Sequence, residues 1–123
     1  MKPWIFIFGI ALFGAIGTLA RYGLSQGSAW LIGPGYPWGT FAVNLLGCFL
    51  FGVLVGLFKS GVLPPFWETM LLTGLLGGFT TFSAFAHENI VLLQEGRWAA
   101  FGLHFIGQTV LGLVAILLGL AIV

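Results

Sequence analysis

The sequence predicts an all-α integral membrane protein: a single transmembrane domain over residues 1–123 with four helices, the third of them broken. Composition is the first observation behind this prediction. Of the 123 residues, 59% are hydrophobic and 6% are charged, whereas about 25% of the residues of a soluble domain are charged. The second is spacing, because the apolar residues fall into four blocks, each close to the roughly 20 residues that cross a bilayer.

Turn-forming residues separate the four predicted helices. The connecting segments contain glycine, proline or charged residues, which typically mark turns between periodic blocks; they are Gly27–Pro37, Lys59–Pro65 and Gln94–Arg97. The helices themselves are predicted at about Trp4–Gly23, Trp38–Phe58, Phe66–Leu93 and Trp98–Ile122. Very little of the sequence remains for a soluble domain.

The first helix has an alternative interpretation. Met1-Lys2 followed by an apolar run resembles a secretory signal, with Thr18-Leu19-Ala20 as the cleavage site. Three further apolar blocks follow, however, and this run exceeds the roughly 7–15 residues of a usual signal core. We therefore expect a retained transmembrane helix.

Positive charges near helix ends set the orientation of a membrane protein. With four helices, Lys2 and Lys59 lie on one side of the membrane, and Arg21 and Arg97 on the other. The equal count indicates that the chain inserts in both orientations and that two copies pair as an antiparallel homodimer. The alternative is that four charges are too few to decide, and that Arg21 lies inside the first helix.

Small residues indicate close helix packing. Gly52 and Gly56 form a GxxxG pair in the second helix, a pattern that lets helix backbones approach one another in lipid. The pattern does not identify the helix that packs there. Cys48, the single cysteine, can form no internal disulfide and is interpreted as a small packing residue.

The stretch Gly77–Phe85, GGFTTFSAF, is unusual for a transmembrane helix. Glycine costs about 1 kcal/mol per helix position relative to alanine, and paired glycines before paired threonines predict a break in the helix. Broken helices at this depth occur only where they are buried in protein or line a wet cavity. Their freed carbonyls can bind a cation, so we predict a substrate or ion site here.

Other polar residues at depth share helix faces. Thr40 and Asn44 are four residues apart in the second helix, and His104 and Gln108 are four apart in the fourth. Amides, hydroxyls and imidazoles can donate hydrogen bonds to a small anion without a fixed positive charge that would trap it. For Asn44, the competing interpretation is an interhelical hydrogen bond worth about 0.6 kcal/mol.

Two phenylalanines share a face of the third helix. Phe82 and Phe85 are three residues apart, and the edge of each ring is electropositive. The competing interpretation is that these rings only pack against lipid or the protein core.

Three motifs resemble those of the Fluc fluoride channels, also called CrcB proteins. Gly39–Gly47, GTFAVNLLG, is similar to the second-helix motif of that family, and Gly77–Phe85 is similar to its third-helix signature. Arg21, which follows Gly14–Ala20, matches the arginine of the first helix. The resemblance covers nearly the whole chain.

The resemblance implies an antiparallel, dual-topology homodimer with two pores in the inner membrane of a bacterium. It implies passive export of fluoride from the cytoplasm, as protection against fluoride toxicity. It also implies a structural Na⁺ on the dimer axis, held by the backbone carbonyls of Gly77 and Thr80 of each copy.

Further side-chain roles follow from the same resemblance. The fluoride pore is expected to contain Asn44, Phe82, Ser83, Phe85, His104 and Gln108. Arg21 and Glu88 are expected in the vestibule. The chain departs from the family in the polar track on the fourth helix, which in relatives is expected to read an aromatic residue or His, then Ser or Thr, then Ser or Thr. Here the positions are His104, Gln108 and Gly112; Gln108 can still donate a hydrogen bond, but Gly112 has no side chain.

Two other functions compete with a channel. A small dual-topology multidrug exporter would couple transport to protons through a carboxylate early in the first helix, but Trp4–Gly23 contains no Asp or Glu. A subunit without transport activity would only pack against larger membrane proteins. We do not expect an enzyme, since His87 and His104 are 17 positions apart in different helices, without a Cys or carboxylate pair at metal-binding spacing. We also expect no nucleic acid partner.

Overall fold

The computed structural model describes residues 2–123 and confirms a four-helix membrane protein. Within that range there are four helices long and apolar enough to cross a bilayer, and no β-strand. They are α1 (Pro3–Ile32), α2 (Trp38–Lys59), the broken third span Pro65–Gln94, and α5 (Trp98–Ala121). The two halves of the third span are α3, residues 65–79, and α4, Phe82–Gln94.

The break lies at two residues. Thr80 (φ −81°, ψ 158°) and Thr81 (φ −147°, ψ 118°) are both extended, and α4 begins at the next residue. The predicted break is therefore confirmed, but it is narrower than the sequence indicated, because Gly77–Phe79 is still helical. The preceding segment Thr69–Leu76 is wound as a π-helix, a form that often occurs at functional sites.

The first helix is longer than predicted. It continues past Gly23, through most of the predicted loop, and ends at Ile32. Glycine inside a helix costs only about 1 kcal/mol, and the Ser28 hydroxyl donates to the Leu24 carbonyl within the same helix (2.8 Å). The chain turns only at Gly33, whose φ of 98° strongly favours glycine.

The extension of α1 changes the count of charges. Arg21 lies within the helix and not in a loop, as the alternative interpretation had it. At or beyond the helix ends, the count of positive charges is therefore two on one side of the membrane, Lys2 and Lys59, and one on the other, Arg97. Arg97 donates a hydrogen bond to the Gly35 carbonyl, which joins the two loops that a four-span topology places on the same side.

Glycines determine which helices pack together. Gly52 of α2 contacts Ile116 and Gly119 of α5 so closely that a Cβ at Gly52 would collide with the Ile116 carbonyl. The GxxxG pattern of α2 thus serves packing inside the chain. Gly17 of α1 contacts α3 in the same way at Leu75. The break therefore lies between two packed helix pairs, α2 with α5 and α1 with α3.

We predict that Gly52→Ala lowers the thermal stability of the purified protein, because the added methyl group meets backbone atoms of α5 that cannot move aside. Overpacking of this kind costs about 1–3 kcal/mol. Gly102→Ala is the matched control, since apart from the neighbouring backbone of its own helix no atom of the described residues lies within 4 Å of a Cβ at that position. Thermal unfolding in detergent measures both, and equal midpoints for the two variants would refute this packing.

Candidate functional site

The broken backbone is held by the side chain of Asn44. Its Oδ1 accepts a hydrogen bond from the Thr81 amide (2.8 Å), and its Nδ2 donates to the Thr81 carbonyl (3.0 Å). A buried backbone amide without a partner would cost about 1–3 kcal/mol. Asn44 therefore supplies the bonds that a continuous helix would have made. Gly47, one turn further along α2, allows this approach, because a Cβ there would collide with the Thr80 methyl group.

Arg21 also contacts the break. Its Nε donates to the Gly78 carbonyl (3.1 Å), near the middle of the third span Pro65–Gln94. The side chain is partly buried, and a charge at this depth requires such a polar partner. The structure thus places Arg21 beside the break, and its expected role in a vestibule stays a prediction.

A chain of polar side chains leads from the break toward the loops. The Asn44 amide also donates to Gln108 Oε1 (2.5 Å). The Gln108 amide nitrogen lies 3.3 Å and 3.4 Å from the two ring nitrogens of His104. His104 Nε2 lies 3.0 Å from Glu88 Oε2, and the Thr40 hydroxyl donates to Glu88 Oε1 (2.7 Å). Residues predicted from α2, α4 and α5 therefore form one network.

Both ring nitrogens of His104 have polar neighbours. The side chain is fully buried, with 0% of its surface exposed. Its Nε2 lies beside the Glu88 carboxylate, and its Nδ1 lies 3.2 Å from the Tyr36 hydroxyl. Burial of the ring is therefore accompanied by a polar contact at each nitrogen.

Tyr36 is a member of this site that the sequence analysis missed. It lies in the loop between α1 and α2. Burial, and secondarily the negative charge of Glu88, raise the pKa of Tyr36 to about 12, so its hydroxyl stays protonated at neutral pH. In the sequence, the one signal that distinguished Tyr36 was its position directly before Pro37–Trp38, where α2 begins.

A cavity of about 230 Å³ opens at this end of the network. It lies between the first half of α2, the end of α1 and the loop that joins them, with Tyr36, Thr40 and Glu88 in its lining. Glu88 is partly exposed here, so the network reaches an opening on the side of the Arg97 loop. The expected role of Glu88 in a vestibule stays a prediction.

A larger groove, of about 430 Å³, lies at the other end of the network, beside the break. Phe82 and Phe85 line it, with ring centroids 5.7 Å apart. The two rings differ in burial, since Phe85 is 8% exposed and Phe82 is 78% exposed. The amides and hydroxyls that line the groove belong to Asn44, Thr80, Thr81, Gln108 and Thr109. Ser83 is exposed next to it, with its hydroxyl 3.4 Å from that of Thr81.

Cys48 occupies the space beside Gly112. Both residues line the groove, and a Cβ on Gly112 would lie 3.4 Å from the Cys48 sulfur. A thiol on α2 thus lies where the track on α5 lacks a side chain. Thr109 does not replace that side chain, because its hydroxyl donates to the Phe105 carbonyl of its own helix (2.6 Å).

For the expected cation, the ligands that the predicted residues can offer are backbone oxygens. Within residues 2–123, no group of three or more His, Cys, Asp or Glu side chains could hold a metal ion. The Thr80 carbonyl lies in extended chain, and Gly77 is exposed on the surface of the single copy. Carbonyl oxygens suit a hard cation such as Na⁺, so these two residues fit the expected ligand.

Comparison with known proteins gives consistent matches over nearly the whole chain. Residues 8–120 match the family model described as CrcB-like protein, Camphor Resistance (CrcB). A protein of Nitrosococcus oceani named fluoride-specific ion channel FluC is 46% identical over 120 residues, which cover 97% of this chain and 96% of that protein. A protein of Nitratidesulfovibrio vulgaris with the same name is 47% identical over 118 residues, covering 94% and 93%.

We predict that Tyr36 ionises near pH 12, well above the value of about 10 for an unfolded tyrosine. Because the folded pKa is raised, Tyr36 stabilises the fold below pH ~10, and this contribution is lost as the pH rises toward 12. Ultraviolet titration of phenolate in the wild type and in Tyr36→Phe isolates this group from Tyr22. In Glu88→Gln the value should fall but stay above 10, because burial is the larger cause; ionisation of Tyr36 at an ordinary pH would contradict the buried network.

Proposed function

The chain belongs to the CrcB family, a family of multi-pass membrane proteins of bacteria, and from this membership we propose that it is a channel that lets fluoride leave the cytoplasm passively. The observation that carries the proposal is the identity of 46–47% over almost the full length with relatives named as fluoride-specific ion channels. Channels of this kind are not enzymes, as the sequence analysis expected.

The polar network and the groove provide the physical basis for conduction. The path runs from the cavity at Tyr36 and Glu88, along His104 and Gln108, to the groove at Phe82. Amide donors replace part of the water around the anion, and the electropositive ring edges of the phenylalanines face it. None of the described residues that line the groove has a cationic side chain. A permeating ion is therefore bound without being trapped.

The assembly in this proposal is an antiparallel dimer with one path per copy. Phe82 is 78% exposed, and Gly77 and Ser83 are exposed beside it. An exposed polar break at membrane depth would be costly in lipid, so a second copy that covers this face satisfies it. Two copies related by an axis in the membrane plane would bring both breaks together.

A structural Na⁺ at that axis completes the proposal. Gly77 and Thr80 of each copy would contribute backbone carbonyl oxygens, four in all. The cation would neutralise carbonyl dipoles that otherwise face each other across the axis. These residues fit the ion by donor type and by their position at the exposed side of the break.

The experiment that tests the function is efflux of fluoride from liposomes that contain only the purified protein. A fluoride channel empties them down the fluoride gradient, with or without a pH gradient. Efflux that stops when the pH gradient collapses would instead favour a proton-coupled exporter. Tight liposomes, or chloride efflux at a similar rate, would refute a selective fluoride channel.

We predict that Phe82→Ile and Phe85→Ile each slow fluoride efflux by at least about tenfold, because an aliphatic side chain has no electropositive edge. Phe8→Ile is the matched control, since Phe8 is an exposed residue of α1 outside the groove. Size-exclusion chromatography checks that all three variants assemble. Wild-type rates in both groove variants would exclude the rings from the ion path.

A second prediction concerns orientation. With Cys48→Ser as background, Val62→Cys places a single thiol in the exposed loop after α2. If the chain inserts in both orientations, a membrane-impermeant maleimide labels about half of the protein from outside the cell, and the rest only after the membrane is opened. Labelling confined to one side would rule out a dual-topology dimer.

A further inference from the structure

Two backbone donors at the break are diverted from their helical acceptors. In a continuous helix, the carbonyl of residue i accepts from the amide of residue i+4. The donor for Gly77 would thus be Thr81, and the donor for Thr80 would be Ala84. Instead, the Thr81 amide donates to Asn44 Oδ1 (2.8 Å), and the Ala84 amide donates to Thr81 Oγ1 (3.3 Å).

We propose that Asn44 and Thr81 are positioning residues for the cation: their side chains capture these two amide donors and thereby leave the Gly77 and Thr80 carbonyls available to Na⁺. The proposal rests on the cation site described above. It adds that two side chains set the positions of the backbone ligands. Neither side chain needs to touch the cation. The Gly78 carbonyl, which lies between them in the sequence, already accepts a hydrogen bond from the Arg21 guanidinium (3.1 Å). It is therefore not available to the cation in the same way.

Asn44 also links the cation site to the anion path. The same amide group that holds Thr81 donates to Gln108 Oε1 (2.5 Å), and Gln108 contacts His104. Removal of the Asn44 amide frees the Thr81 amide to return to the Gly77 carbonyl and shortens the break. The cation ligands and the polar network therefore depend on one side chain.

The experiment measures the effect of Na⁺ on the thermal unfolding of the purified full-length protein, with N-methylglucamine chloride as the cation-free reference. A ligand that binds only the folded state raises the unfolding temperature in proportion to its affinity. Asn44→Ala and Thr81→Val should each need at least about tenfold more Na⁺ to reach the wild-type rise in unfolding temperature. This loss is expected when one hydrogen bond that positions a carbonyl ligand is removed.

Two controls keep the test specific. Thr81→Ser retains a hydroxyl that can accept from the Ala84 amide, so its Na⁺ response should match the wild type. Thr109→Val alters a hydroxyl in the same groove that bonds only to its own helix, and its Na⁺ response should also be unchanged. If Asn44→Ala does not fold, Asn44→Asp replaces it, because the aspartate keeps the acceptor for Thr81 and should keep the response.

The outcomes separate this proposal from the channel function. A wild-type response to Na⁺ that is unchanged in Asn44→Ala and Thr81→Val would overturn the positioning role alone. A wild-type protein that is indifferent to Na⁺ would overturn the cation site and the positioning role together. Fluoride efflux from liposomes made with the same preparations reports on the channel independently of either result.

Discussion

The hydrogen bonds between the Asn44 amide and the Thr81 backbone are the interaction on which the rest of the site depends. Thr80 and Thr81 are extended in the middle of a membrane span, where an unsatisfied backbone group costs several kcal/mol. Asn44 offers one acceptor and one donor to the same residue, at 2.8 Å and 3.0 Å. Without these two hydrogen bonds, the state of lowest free energy for the third span would be a continuous helix. Such a helix would have neither exposed carbonyls nor a groove.

Close helix packing makes these hydrogen bonds possible. Asn44 has a short side chain, so α2 must approach the break directly, and Gly47 provides the room. On the opposite side, Gly14 and Gly17 let α1 lie against α3, which brings Arg21 within reach of the Gly78 carbonyl. In lipid, apolar surface gives no net drive for association, so small residues and polar contacts must hold the helices.

The network from Thr40 to Thr81 would solve an electrostatic problem for the anion path that we propose. A carboxylate lies in it, yet Glu88 is held by the Thr40 hydroxyl and the His104 ring, which spread its charge over neutral donors. The protonated Tyr36 hydroxyl completes the bonds of His104. The groups nearest the groove are amides, hydroxyls and rings, so an anion there meets donors and no fixed negative charge.

The sequence predicted the four spans and the broken third helix well, because apolar blocks and paired glycine and threonine residues are local signals. It misplaced the end of α1, since Gly23 and Gly27 are tolerated inside a helix until Gly33 forces a turn. It also did not predict the contacts of Asn44 with Thr81 or of Arg21 with Gly78. The position of Cys48 beside Gly112 was not predicted either. These pairs are distant in sequence, and only the packing of four helices brings them together.

Residue-resolved hydrogen exchange of the amides from Gly77 to Ala84 in the purified protein is the most direct test of this account. In the wild type the Thr81 amide should exchange as slowly as amides inside α4, although Thr81 lies outside any helix, because Asn44 protects it. In Asn44→Ala the third span should become a continuous helix, so the carbon chemical shifts of Thr80 and Thr81, recorded on the same samples, should change from extended to helical values. Fast exchange of the Thr81 amide in the wild type, or extended chemical shifts for both threonines in the variant, would contradict the claim that Asn44 holds the break.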